Sequence, residues 1–270
     1  MKELNIGGLR VSTPVIQGGM GVGISLSGLA AAVANQGGVG VISAAGLGML
    51  YKSSGDYLAN CITGLREEIR KARQNTNGII GVNIMVALSN YDDLVKTSIE
   101  EGIDIVISGA GLPLDLPKYL YPGCKTRLIP IVSSGRAAAL ICNKWLTNYN
   151  YLPDAVIVEG PKAGGHLGFK PDQIFDENYA LEKLIPEVVK AVNEVASITG
   201  KQIPVIAAGG IYTGADIAKI MRLGASGVQM GTRFVTTHEC DASMEFKQAY
   251  LNAKKEDVRI IKSPVGMPGR

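Results

Sequence analysis

Residues 203–234 read "IPVIAAGGIYTGADIAKIMRLGASGVQMGTRF". Two apolar runs, 203–210 and 227–234, flank a segment of mixed polarity. That middle segment opens on Thr213, a good helix N-cap, and stops at Gly224. The apolar runs are continuous rather than alternating, which is the pattern of parallel strands covered on both faces. The stretch therefore predicts strand, helix, strand, with a glycine turn leaving each strand.

The same beat recurs upstream. Apolar, β-branched runs lie at 14–17, 38–43, 78–85, 103–108, 127–133 and 154–160. Helix-like segments follow at 25–36, 61–74, 91–102 and 181–199, with another at 242–255 after the last strand. The proline-rich stretch "GLPLDLPKYLYPG" at 111–123 predicts only a short or irregular helix. Eight such beats over 270 residues predict an α/β fold, a (β/α)8 TIM barrel of parallel strands in one domain, 1–270. A doubly wound open sheet is the alternative, but no strand here runs into a GxGxxG turn.

Composition narrows the class of function. Net charge is only +3, from 27 basic and 24 acidic residues without long like-charge blocks. That gives no footprint for nucleic acid. The four cysteines are scattered, with no spacing to either histidine that suits a metal, so neither disulfides nor a metal site is expected. The most apolar stretch, 29–50, is broken by Asn35, Gln36 and a Gly-Gly pair, and no signal-peptide core precedes it. No membrane span is expected, and a cytoplasmic location is.

In a barrel the chemistry sits where strands end and loops begin. Gly209 and Gly210 after strand seven, with Gly231 and Thr232 after strand eight, suit a phosphate. Gly19 and Met20 after strand one, with Asn83 after strand three and Gln229, suit a flat heteroaromatic ring. A ring with one phosphate suggests FMN, although these residues alone leave a sugar phosphate or a nucleotide open. "VIVEGPKAGGHLGF" at 156–169 adds a strand-end acid, Glu159, and a histidine, His166. An imidazole at such a mouth suits proton transfer near neutrality, the bland reading being a bond to a loop carbonyl. Lys162 and His238 read as solvated or capping residues, and Trp145 as packing.

"PVIQGGMG", "GVNIMV", "VEGPKAGGHLG", the 203–234 stretch and "TTHEC" resemble the nitronate monooxygenase family, once called 2-nitropropane dioxygenases. FMN-dependent enoyl-ACP reductases and some NAD(P)H:quinone reductases are similar in the same motifs. The resemblance implies an FMN-binding barrel with His166 near the flavin's reactive edge. It implies a flavin site of Gly19, Met20, Asn83, Glu159, Gly164, Gly165, Gly209, Gly210, Gln229, Gly231 and Thr232.

The implied reaction is oxidation of alkyl nitronates or nitroalkanes with O2, His166 taking the α-proton or holding the nitronate oxygens. The alternatives are an NAD(P)H-dependent enoyl-ACP or quinone reductase, and a barrel that binds flavin or a phosphometabolite without turnover. Two departures stand out. "IPIVSSGR" offers Ser133 and Ser134 where some relatives carry a lysine. Family members also continue past Arg270, so the C-terminal cap is expected to be missing, truncated or replaced by a partner. An open mouth of that kind favours a homo-oligomer.

Overall fold

A computed structural model describes residues 3–52, 55–263 and 266–270. Eight parallel strands carry the expected runs: β1 (Val15–Gln17), β2 (Gly40–Ser43), β3 (Ile80–Met85), β4 (Ile105–Gly109), β5 (Arg127–Val132), β6 (Val156–Glu159), β7 (Val205–Ala208) and β8 (Gly227–Met230). Each pairs with its sequence neighbour from β2 to β8, and β8 pairs with β1. The ring closes between β1 and β2 through an Ile16–Val39 bridge. There the Gln17 side chain takes over where backbone pairing ends, its Oε1 accepting from the Val41 amide at 2.9 Å. The fold is a (β/α)8 TIM barrel.

Strand alternation divides the core in two. Ile16, Val39, Val41, Ile105, Ile107, Ile129, Ile157 and Ile206 fill the barrel interior. Residues of opposite parity, such as Val82, Val106, Val156 and Val158, pack outward under the helices. An antiparallel hairpin, Leu4–Ile6 with Leu9–Val11, sends Leu4, Ile6 and Val11 into the interior cluster. It plugs the end where the strands start, since Arg127 at the start of β5 donates to the Gly7 carbonyl. The C-terminal ends of the strands form the opposite mouth. The continuous apolar pattern did not forecast this hairpin, because strands of three residues carry too little alternation to read.

The expected helices form as α1 (Ser27–Asn35), α2 (Tyr57–Asn75), α3 (Tyr91–Glu100), α5 (Leu181–Thr199), α6 (Gly214–Arg222) and α7 (Met244–Asn252). Thr213 caps α6, accepting from the Asp216 amide at 3.2 Å, and Gly224 follows its end at φ +106°. α4 (Gly135–Tyr149) fills the remaining position, with Ser134 Oγ accepting from the Ala137 amide. The proline-rich stretch yields only a 3-10 turn, Leu116–Tyr119. Trp145 of α4 is fully buried against it and donates to the Pro113 carbonyl at 2.9 Å. The last strand is shorter than its apolar run. It ends at Met230, and Thr232–Val235 turns into a short helix. Among the described residues no helix is long and apolar enough to cross a membrane.

Candidate active site

The inward-facing register that is apolar through the barrel turns polar at its open end. Following each strand two residues at a time, Val41 leads to Ser43, Ile129 and Ile131 to Ser133, Ile157 to Glu159, and Gly227 to Gln229. In register, Glu159 lies opposite Ala208, Ala208 opposite Gln229, and Ser43 opposite Asn83. A layer of small or polar residues therefore crowns an apolar cylinder. Ser43 belongs to this layer and escaped the sequence reading, although the period of two would have found it.

The loops bring two groups of expected site residues together. A Cβ on Gly19 would fall 2.4 Å from Asn83 Cβ, one on Gly231 3.4 Å from Met20 Sδ, and one on Gly18 3.5 Å from Gln229 Cγ. The turn after β1 thus touches Asn83 on β3 and both the end of β8 and the turn that follows it. On the other side, Gly209 sits at φ +101° with its missing Cβ facing the Ala163 amide at 2.9 Å, and Gly210 sits at +75° against Lys162. Only glycine is at ease in this combination of positive φ and close approach. The turns after β6 and β7 are therefore packed together, which puts His166 on the rim that carries the 209–210 turn. Gly164 and Gly165 face open space, and Thr232 is exposed.

Three polar groups at this rim are unused by the fold. Gln229 is buried, and its Oε1 has no hydrogen-bond partner. An unpaired buried acceptor costs about 1–3 kcal/mol, so a ligand donor would be rewarded there. His166 is half-buried, with Nε2 enclosed and unpaired. The half-buried Glu159 carboxyl makes no hydrogen bond or ion pair, and burial pushes its pKa up to about 8. At neutral pH it is mostly the protonated acid, able to donate as well as accept. Ser133 is committed differently, its Oγ donating to the Gly168 carbonyl at 3.1 Å in the His166 loop. Lys162 and His238 are exposed, as expected.

One residue with a clear role was invisible in the sequence. α1 begins after Leu26, which has no capping group. Asp241, from the loop before α7, supplies the cap. Its carboxylate accepts from the amides of Leu26 at 2.7 Å, Gly28 at 3.1 Å and Leu29 at 3.1 Å. Glu68 of α2 takes the remaining Ser27 amide at 2.7 Å. Burial raises the Asp241 pKa, against the three amides that favour its charge. Just upstream, Ser25 Oγ accepts from the Met20 amide at 2.8 Å, so the cap also steadies the Met20 turn. Asp241→Ala is expected to lower unfolding free energy by about 2 kcal/mol, the upper range for losing an N-cap. Asp241→Asn should recover part of it. An unchanged denaturation midpoint in the alanine variant would show the cap to be dispensable.

Comparison with known proteins agrees with the fold. A family model described as nitronate monooxygenase matches residues 2–270. A probable nitronate monooxygenase of Staphylococcus aureus strain Newman is 30% identical over 301 residues, covering 97% of this chain and 76% of its own. In Mycobacterium tuberculosis, a (3aS,4S,5R,7aS)-5-hydroxy-7a-methyl-1-oxo-octahydro-1H-indene-4-carboxyl-CoA dehydrogenase is 31% identical over 97% of this chain, which spans 63% of that relative's length. Among solved structures, FabK from Thermotoga maritima superposes with a TM-score of 0.73 at 32% identity, covering 96% of this chain and 70% of that one.

Proposed function

Since the chain belongs to the nitronate monooxygenase family, we propose that it is an FMN-dependent oxidoreductase acting on alkyl nitronates or nitroalkanes with O2. The observation that carries this reading is the unpaired, buried Gln229 Oε1 beside the glycine turns of a polar barrel mouth. FMN fits that donor set. Gly19 and Met20 would lie under its ring, with Asn83, Gln229 and the protonated Glu159 meeting the ring's polar edge. Gly164 and Gly165 leave room beside it. Gly209, Gly210, Gly231 and Thr232 would hold the phosphate, whose oxygens can approach backbone amides that no Cβ screens. Bound FMN would supply electron acceptance, which no side chain here can provide.

The residues then supply binding and proton handling. His166 takes the α-proton of a nitroalkane or donates to the oxygens of a nitronate, its Nε2 being uncommitted to the fold. The apolar interior below the polar layer excludes water from beneath the reacting group. Ser133, the residue after β5, offers no cation there, so His166 is the group that meets the anionic oxygens of a nitronate.

A donor panel tests the reading. Under nitrogen, the flavin absorbance of the purified yellow protein is expected to bleach with an alkyl nitronate and to return on admitting O2. Bleaching by NAD(P)H alone would assign the chain to the reductase alternative. A colourless protein that takes up no FMN would leave a phosphometabolite-binding barrel.

A further inference from the structure

We propose that residues 268–270, paired with 261–262, form a strap that positions His166, so that Arg270 belongs to the active site although it lies on no barrel strand. The strap begins as an antiparallel hairpin, Ile261–Lys262 with Pro268–Gly269. The free edge of Pro268–Gly269 then pairs with the histidine loop, through an antiparallel bridge of His166 to Gly269. The Gly165 amide donates to the Arg270 carbonyl at 3.1 Å, and the Arg270 amide donates back to the Gly165 carbonyl at 2.9 Å. The Leu167 amide donates to the Pro268 carbonyl at 2.8 Å. From the side, the Arg270 guanidinium Nη2 donates to the Pro161 carbonyl at 2.9 Å, across the base of the loop.

Ala163, Leu167 and Phe169 anchor the flanks of this loop in the core, but its two glycines have no such anchor. Gly164 and Gly165 have no neighbour within reach of an added Cβ, and Gly165 sits at φ +79°. Outside the strap, its hydrogen bonds are the turn from the Ala163 amide to the Gly160 carbonyl and the Ser133 bond to Gly168. Two adjacent glycines left alone would give the histidine a wide range of positions, since each ordered residue gives up roughly 1–2 kcal/mol of backbone entropy. Strand pairing on both sides of His166 removes that freedom.

A second observation separates this patch from ordinary loop packing. His166 Nε2, Ser263 Oγ and Arg270 Nε are all buried without a hydrogen-bond partner. Three unpaired polar atoms on one strap and its loop are costly for the fold alone. The strap thus holds the imidazole by its backbone and leaves Nε2 untied to the fold. The inference rests on His166 acting on substrate, as in the proposed function.

Amide hydrogen exchange on the wild-type protein tests the strap without any variant. Gly165 and Leu167 are expected to exchange at least about tenfold more slowly than Gly164, as paired amides do. Arg270→Pro removes the backbone donor and the guanidinium together. It is expected to weaken that protection, most at Gly165, and to lower kcat about tenfold or more, a smaller loss than removing the imidazole, while FMN stays bound and the β7 amides stay protected. Arg270→Lys keeps the backbone donor and a cation for Pro161, and is expected to restore most of the turnover. Wild-type Gly165 and Leu167 amides exchanging as fast as Gly164 would overturn the strap. So would full turnover in Arg270→Pro with protection weakened. A His166→Ala variant of undiminished activity would instead sink the functional reading and leave the strap's geometry standing.

Discussion

Replacing His166 with alanine is expected to cut turnover with a nitroalkane by about 10²–10⁴-fold while FMN remains bound, the range for losing a positioned proton-transfer group. The geometry explains why binding should survive. The loop residues proposed to lie beside the flavin, Gly164 and Gly165, offer backbone alone, and the loop's stem packs through Ala163 and Gly160 on Gly209 without the imidazole. The residues proposed to hold ring and phosphate lie on other strands or at the stem. The split between substrates is informative. With a preformed nitronate there is no α-proton to remove, so a general base should matter for the neutral nitroalkane far more than for the anion. Equal losses on both would make His166 an oxyanion donor instead. Unchanged steady-state turnover on both would take it out of the chemistry.

Glu159→Gln carries the second large effect, and it appears in the protein before any substrate is added. The folded carboxyl keeps its proton up to about pH 8, whereas the ordinary value is 4.5. Between those values the folded state binds more protons than the unfolded one, so stability falls as pH rises through that window. Above it the full penalty is in place, at most about 5 kcal/mol and less for the solvent that reaches the half-buried side chain. Glutamine carries no charge at any pH. Chemical denaturation of the flavin-free variant is therefore expected to show a gain of roughly 2–5 kcal/mol at pH 8.5 and almost none at pH 4.5. Parallel curves for variant and wild type from pH 5 to 8.5 would mean that Glu159 is solvated and ionised like any surface acid.

The same change should separate two roles of the carboxyl toward the cofactor. A protonated acid and an amide can each donate one hydrogen bond and accept another, while a carboxylate only accepts. Flavin retention by the wild type should weaken as pH passes about 8, and retention by Glu159→Gln should not. Fluorescence of released flavin across that range reads the difference directly.

Parts of this architecture are local enough to read from a string of letters. The eight strands lie where the apolar runs predict them, because burial on both faces leaves a continuous signature in each run. Thr213 and Gly224 bound α6 because a cap and a stop act on their own helix alone. The run into "GTRF" overshot β8, since an apolar Phe234 packs as well from the helical turn that begins at Thr232. Ser43 was missed for want of counting parity from Val41.

What the sequence determined by itself is the barrel and the set of glycine turns at its mouth, since periodicity, turn chemistry and capping act within a few residues. Tertiary structure alone decided three things: that Asp241 caps a helix 215 residues earlier in the chain, that the 268–270 edge zips against His166, and that burial raises the pKa of Glu159. Each depends on which segments meet once the strands have closed, and no short-range pattern encodes a hydrogen bond or a desolvation made across the whole chain.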